Sequence, residues 1–159
     1  MILKGLIDTD FVNYKVPCMV LEFPKCSFKC DKECGQSVCQ NNILASAPDI
    51  QIDVRELFQR YTSNPITEAI VCQGLEPFDS WDDLYGLVYW FKGINAIKDD
   101  IVIYTGYTKK EITDELEKLS QFDGIVIKFG RYIPNRQSHY DNVLGVYLAS
   151  DNQYGERMC

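Results

Sequence analysis

Apolar and polar positions along the chain follow two periods, one of two residues and one near three and a half. Val20 to Phe23 is a short buried-strand pattern that runs straight into a cysteine-rich loop. Beyond the loop, Val54 to Tyr61 has helical spacing, with Leu57 and Phe58 apolar, and Asn64-Pro65 stops it. Ala69 to Cys72 is a second apolar run, ending at Gly74. Ser80 predicts an N-cap with Asp82 and Asp83 in the first turn, and Leu84, Leu87, Val88 and Phe91 share one face behind it. Asp99-Asp100 punctuates. Ile101 to Tyr104 predicts a strand ending at Thr105-Gly106. Thr108 to Glu111 matches a capping box, with Ile112, Leu116 and Leu119 forming the helical face that follows. Gly124 to Ile127 and Val143 to Leu148 predict two further strands.

Strand and helix thus alternate, without repeats, low-complexity segments or a linker. That order predicts an α/β fold: a single compact domain over residues 1–159, built on mostly parallel strands with crossover helices. A full eight-unit barrel takes about 250 residues, so the expected form is an open or partial (β/α) barrel. Ligands in such sheets sit at the carboxyl ends of the strands. The cysteine loop, Gln73 to Glu76 and Thr105-Gly106 should therefore share one edge.

Composition narrows the function. Apolar residues make up 46% of the 159, which supports a real core. A net charge of −7 makes bare nucleic acid and anionic membrane poor partners, so a small or protein substrate met in a local pocket is expected. No apolar stretch reaches transmembrane length, and residues 1–10 lack the order of a signal peptide, so a cytoplasmic protein is expected. The single histidine, His139, excludes most catalytic triads and multi-histidine metal sites. It reads as a solvated loop residue, and Trp81 and Trp90 read as core or edge packing. Cysteine changes the picture most. Of the seven, Cys26, Cys30, Cys34 and Cys39 fall within 14 residues, and an odd total argues against a disulfide framework.

Lys29, Asp31, Lys32 and Glu33 make the cysteine loop polar, so burial of ordinary thiols does not explain it. Thiolates this close converge on a metal centre if the backbone curls around it. Four of them suit structural zinc. Three, leaving one iron open, suit a catalytic iron–sulfur cluster. Spacing alone leaves both metals open.

The motifs in order resemble those of the radical S-adenosylmethionine (SAM) superfamily, and within it the activating proteins of anaerobic ribonucleotide reductase. Cys26 and Cys30 keep the first spacing of the family's three-cysteine loop, and Cys39-Gln40-Asn41 is similar to its third-cysteine context. Eight residues separate Cys30 from Cys39, more than in the family, so Lys32 to Val38 reads as an insertion and Cys34 stands as the alternative third cysteine. Gly74-Leu75-Glu76-Pro77 resembles the family's glycine-rich acidic turn, with Leu75 in place of a glycine. Tyr104 to Thr108 resembles its Thr-Gly-Tyr-Thr turn. Gly124 to Tyr132 is similar to its strand and following step, with Phe129 replacing an aspartate, and Leu148 to Gln153 to its C-terminal signature.

The resemblance implies a [4Fe–4S] cluster on Cys26, Cys30 and Cys39, and SAM bound with help from Gly74, Glu76 and Thr105. It implies reductive cleavage of SAM to a 5′-deoxyadenosyl radical that takes a hydrogen from a glycine. The implied partners are the anaerobic ribonucleotide reductase catalytic subunit or a similar glycyl radical protein, and an electron donor such as flavodoxin or ferredoxin. Arg131, Tyr132, Asn135 and Arg136 are candidates for the partner contact.

Overall fold

A computed structural model describes residues 1–158. Along the chain run β1 (Ile2–Leu3), β2 (Gly5–Asp10), β3 (Cys18–Phe23), α1 (Lys29–Cys34), β4 (Ile50–Gln51), α2 (Val54–Thr62) and β5 (Ala69–Gly74). There follow α3 (Trp81–Val88), β6 (Asp100–Tyr104), α4 (Thr113–Leu119), β7 (Ile125–Phe129), β8 (His139–Asp141), β9 (Val146–Leu148) and β10 (Tyr154–Arg157). Six strands form one sheet in the order β10-β7-β6-β5-β3-β2. Its centre, β3-β5-β6-β7, is parallel, and β2 and β10 add antiparallel edges. The sheet does not close, so the expected open, partial barrel of mostly parallel strands is what the chain forms.

The period of two decides which residues meet. Met19, Leu21 and Phe23 of β3, Ile70 and Cys72 of β5, Ile101 and Ile103 of β6, and Ile125, Ile127 and Phe129 of β7 point to one face. There they meet Leu57 and Tyr61 of α2, Leu84, Leu87 and Val88 of α3, and Leu116 and Leu119 of α4. Phe91 joins them from a π-helical turn, Tyr89–Ile94, that extends α3. The opposite face carries the intervening, smaller residues Cys18, Val20, Ala69, Val71, Val102 and Val126, covered by Tyr14, Leu144 and Leu148. This second side, with its smaller residues, is the inner face of the sheet. Two residues beyond each inner valine the row turns polar: Val20 leads to Glu22, Val71 to Gln73, Val102 to Tyr104 and Val126 to Lys128. Register sets Glu22 opposite Gln73 and Tyr104 opposite Lys128, so these four form one rung at the carboxyl end of the sheet.

Four local expectations differ in detail. Ser80 precedes α3, but its hydroxyl is buried without a partner. The helix continues from a 3-10 turn, Pro77–Ser80, and capping falls to Glu76, whose Oε1 accepts from Phe78 N (3.2 Å). The Thr108–Glu111 box forms, but around a 3-10 turn ahead of α4. The strand expected over Val143 to Leu148 begins only at Val146, as β9, because Asp141 Oδ1 draws the N–H groups of Val143 and Leu144 into a turn (2.9 Å each). His139 lies in β8 with Nδ1 buried, not in a solvated loop, whereas Trp81 and Trp90 do pack on the core. No helix among the described residues is long and apolar enough to cross a membrane.

Candidate functional site

At the carboxyl ends of the parallel strands lies a cavity of about 320 Å³. Cys26, Cys30 and Cys39 border it from the cysteine loop, Gly74 and Glu76 from the turn after β5, Thr105 and Gly106 from the turn after β6, and Lys128 from β7. All six residues assigned from sequence, Cys26, Cys30, Cys39, Gly74, Glu76 and Thr105, therefore face one space. Cys34 borders a neighbouring cavity of about 300 Å³ with Glu33, Phe129, Arg131 and Tyr154, and Cys30 borders both. The six described cysteines carry free thiols. Among the described residues no three of His, Cys, Asp and Glu converge as the ligands of one small ion would; the thiols stand around the cavity instead.

The cysteine segment is tied down by polar bonds, since α1 buries no side chain. Asp79 Oδ2 accepts from Ser27 N (2.7 Å), while its Oδ1 accepts from Tyr107 Oη (2.5 Å). The Tyr107 ring in turn lies beneath Lys29 Nζ at 4.5 Å and the Arg131 guanidinium at 5.6 Å. Glu111 receives two bonds from Arg131 (2.9 and 2.5 Å) and one from Lys29 (3.3 Å), and Glu33 pairs with Arg131 at 3.4 Å. The Arg131 guanidinium holds the Glu111 carboxyl down to about 2. Asn41 Nδ2 donates to Gly74 O (2.9 Å), joining the end of the loop to the turn after β5.

Gly74 has φ +103°, and a Cβ there would lie 2.8 Å from Phe23 N and 2.9 Å from Glu22 Cα. Only glycine lets β5 end this close to β3. Gly74→Ala is expected to cost roughly 2–4 kcal/mol in chemical denaturation. A cost under about 0.5 kcal/mol would mean that β3 yields without strain.

Glu76 is 5% exposed. Its carboxylate accepts from Thr105 Oγ1 (2.8 Å), Gly106 N (2.9 Å) and Phe78 N (3.2 Å). Two carboxylate oxygens offer about four acceptor directions, so room for a further donor remains. Burial pushes the carboxyl up to about 7 against these three donors. Lys128 is 9% exposed and donates to Gly130 O (3.0 Å). Burial pulls its ammonium down to about 8, against the attraction of Glu76. One cavity wall thus carries a carboxylate and the floor an ammonium, both short of full pairing. Burial also pushes the Cys26 thiol up to about 11 and Cys30 in the same direction. A thiol so placed gives up its proton to a cation that takes the proton's place.

Gln73 borders the cavity at the strand-end edge expected of Gln73 to Glu76, whereas Lys128 is a site residue with no role expected from the sequence. The signal for Lys128 was present: it is a polar interruption of an apolar strand, at an alternate position from the small inner-face residue Val126. Asp79 and Asp31 carried no such signal, because their roles depend on backbone N–H groups brought to them by the fold.

A family model described as a 4Fe-4S single cluster domain matches residues 16–153. No curated protein and no solved structure matches the chain. The matched span contains the whole cysteine loop, the four parallel strands and every residue bordering the main cavity except Asn13. The chain belongs to the 4Fe-4S single cluster domain family, and of the two metals left open by the cysteine spacing it is iron, as a cluster, that this family binds.

Proposed function

We propose that this protein is a radical SAM enzyme of the glycyl radical activating type. The observation carrying this reading is that three loop thiols and the Glu76 carboxylate face one cavity at the carboxyl ends of the parallel strands. The donor set fits a cluster: three sulfur ligands, soft and deprotonated when loaded, leave one iron open for a ligand. The 4Fe-4S single cluster domain also occurs in radical SAM-related proteins. Cys26, Cys30 and Cys39 would hold the cluster, and the chemistry it would supply is one electron to a sulfonium, whose carbon–sulfur bond would break to methionine and a 5′-deoxyadenosyl radical.

The protein's own residues bind and orient. Glu76 takes the amino group of the methionine moiety, its ionised form being favoured by that positive charge. Thr105 and Gly106 hold the Glu76 carboxylate in place while this happens. Lys128 meets the carboxylate of the same moiety. Gly74 lets the backbone approach. The radical then takes a hydrogen atom from a glycine of a partner, giving 5′-deoxyadenosine and a glycyl radical. That partner is the catalytic subunit of an anaerobic ribonucleotide reductase or a similar protein, and flavodoxin or ferredoxin supplies the electron.

The test is anaerobic reconstitution with iron and sulfide, then addition of SAM and a chemical reductant, with 5′-deoxyadenosine measured. Production is expected, together with a glycyl radical signal when the reductase subunit is added. Production without that signal would move the assignment to another substrate. No 5′-deoxyadenosine from a fully loaded cluster would end the radical SAM reading.

A further inference from the structure

Cys34 and Cys39 are rival third ligands in the sequence, and the loop between Cys30 and Cys39 contains the feature that separates them. Helix α1 ends at Cys34, and Gly35, in the left-handed region at φ +68°, turns the chain back. The returning segment Gln36 to Gln40 is polar apart from Val38 and Cys39, and largely exposed, so no hydrophobic anchor fixes its path. What fixes it is Asp31. Its Oδ1 accepts from both Val38 N and Cys39 N, each at 2.8 Å. Asp31 follows Cys30 directly, so one carboxylate oxygen closes an eight-residue loop and delivers the backbone of Cys39 beside Cys30. On the other side Asn41 is fastened to Gly74. Cys39 is thus held from both flanks. Cys34 is one helical turn from Cys30 and borders the neighbouring cavity, away from Cys26 and Glu76.

We propose that Asp31 is a positioning residue that selects Cys39 over Cys34 as the third cluster ligand by accepting the N–H groups of Val38 and Cys39. The inference rests on the cluster reading given above and adds to it a cause for the unusual cysteine spacing. The two accepted bonds are a matter of geometry more than of charge. An asparagine keeps the Oδ1 acceptor and an alanine removes it. Losing the closure frees residues 35 to 40, and the nearer thiol, Cys34, then competes for the same iron.

The experiment measures iron and sulfide per chain, and the electron paramagnetic resonance spectrum of the reduced cluster, after reconstitution at limiting iron. Asp31→Asn should match the parent in both. Asp31→Ala should bind iron about tenfold more weakly and show an altered spectrum. Its residual cluster should vanish in Asp31→Ala/Cys34→Ala, although Cys34→Ala alone is harmless. An Asp31→Ala protein with parental iron content and spectrum, still dependent on Cys39 and indifferent to Cys34, overturns the proposal. So does an Asp31→Asn protein as defective as Asp31→Ala, which would make charge the cause, and this arm decides the matter even if the alanine variant folds poorly. Full iron in Cys39→Ala alone would be a different failure: the ligand assignment itself would fall, and Asp31 with it.

Discussion

Cys39→Ala, reconstituted without oxygen, should hold less than about a tenth of the parent's iron and sulfide, while Cys34→Ala keeps the full complement. Cys26→Ala and Cys30→Ala should behave like Cys39→Ala. The expectation follows from position. The thiols of Cys26, Cys30 and Cys39 border one cavity, whereas Cys34 faces the adjoining one. A cluster held by three thiolates and reduced to two becomes labile, because a second iron loses its only protein ligand. Metal analysis and the loss of brown colour read the result directly. A Cys34→Ala protein that is empty while Cys39→Ala stays brown would reverse the ligand choice without touching the fold.

Glu76→Gln should weaken SAM binding by about ten- to a hundredfold, in keeping with the loss of one charge-assisted contact to an ammonium in a buried site. The dependence on pH gives the sharper signature. Burial pushes the free carboxyl up to about 7, and the ligand's ammonium needs the ionised form. Affinity should therefore rise as pH increases through 7 in the parent, and Glu76→Gln should lack that rise. Stability moves the other way. A carboxyl whose folded value lies above its unfolded one contributes stability that is complete below about 4.5 and lost as pH rises through about 7. In cluster-free protein that displacement is worth about 3 kcal/mol at most. Chemical denaturation between pH 4.5 and 7.5 should show the parent losing ground to Glu76→Gln. Parallel curves for the two would mean that Glu76 is ionised throughout.

The parallel centre of the sheet was legible because its strands are buried on both faces and so read as unbroken apolar runs. The helices behind them were legible for a related reason: Leu84, Leu87, Val88 and Phe91 show a helical period that only a one-sided burial produces. The edges were not legible. β2 and β10 read Gly-Leu-Ile-Asp-Thr-Asp and Tyr-Gly-Glu-Arg, and their place in the sheet comes from backbone pairing with β3 and β7, to which side-chain pattern contributes little. Arg157 adds two bonds to Asp100 at 2.8 and 2.6 Å, a contact between residues too far apart in sequence to show as a pattern. Helix α1 was hidden for another reason, since it buries nothing and owes its form to ion pairs with Arg131 and Glu111. At the site, residues with a local motif, such as Glu76 and Thr105, were found. Lys128 was missed because a lone lysine in Ile-Val-Ile-Lys-Phe looks like an exposed edge until the neighbouring strands cover it.

The polar rung that ends the inner valine rows bears on how such a protein changes over time. Gln73, Tyr104 and Lys128 meet the cavity, yet each is one pleat beyond a valine that holds the sheet together. An exchange at Gln73 or Lys128 alters what the cavity greets with no change to the valine cluster, whereas Tyr104 also packs on that cluster and donates to Asn13 O (2.7 Å). Stability and ligand preference are thus written in separate rows of the same strands. At Gln73 and Lys128 that separation gives a descendant of this chain a route to altered ligand preference by single steps.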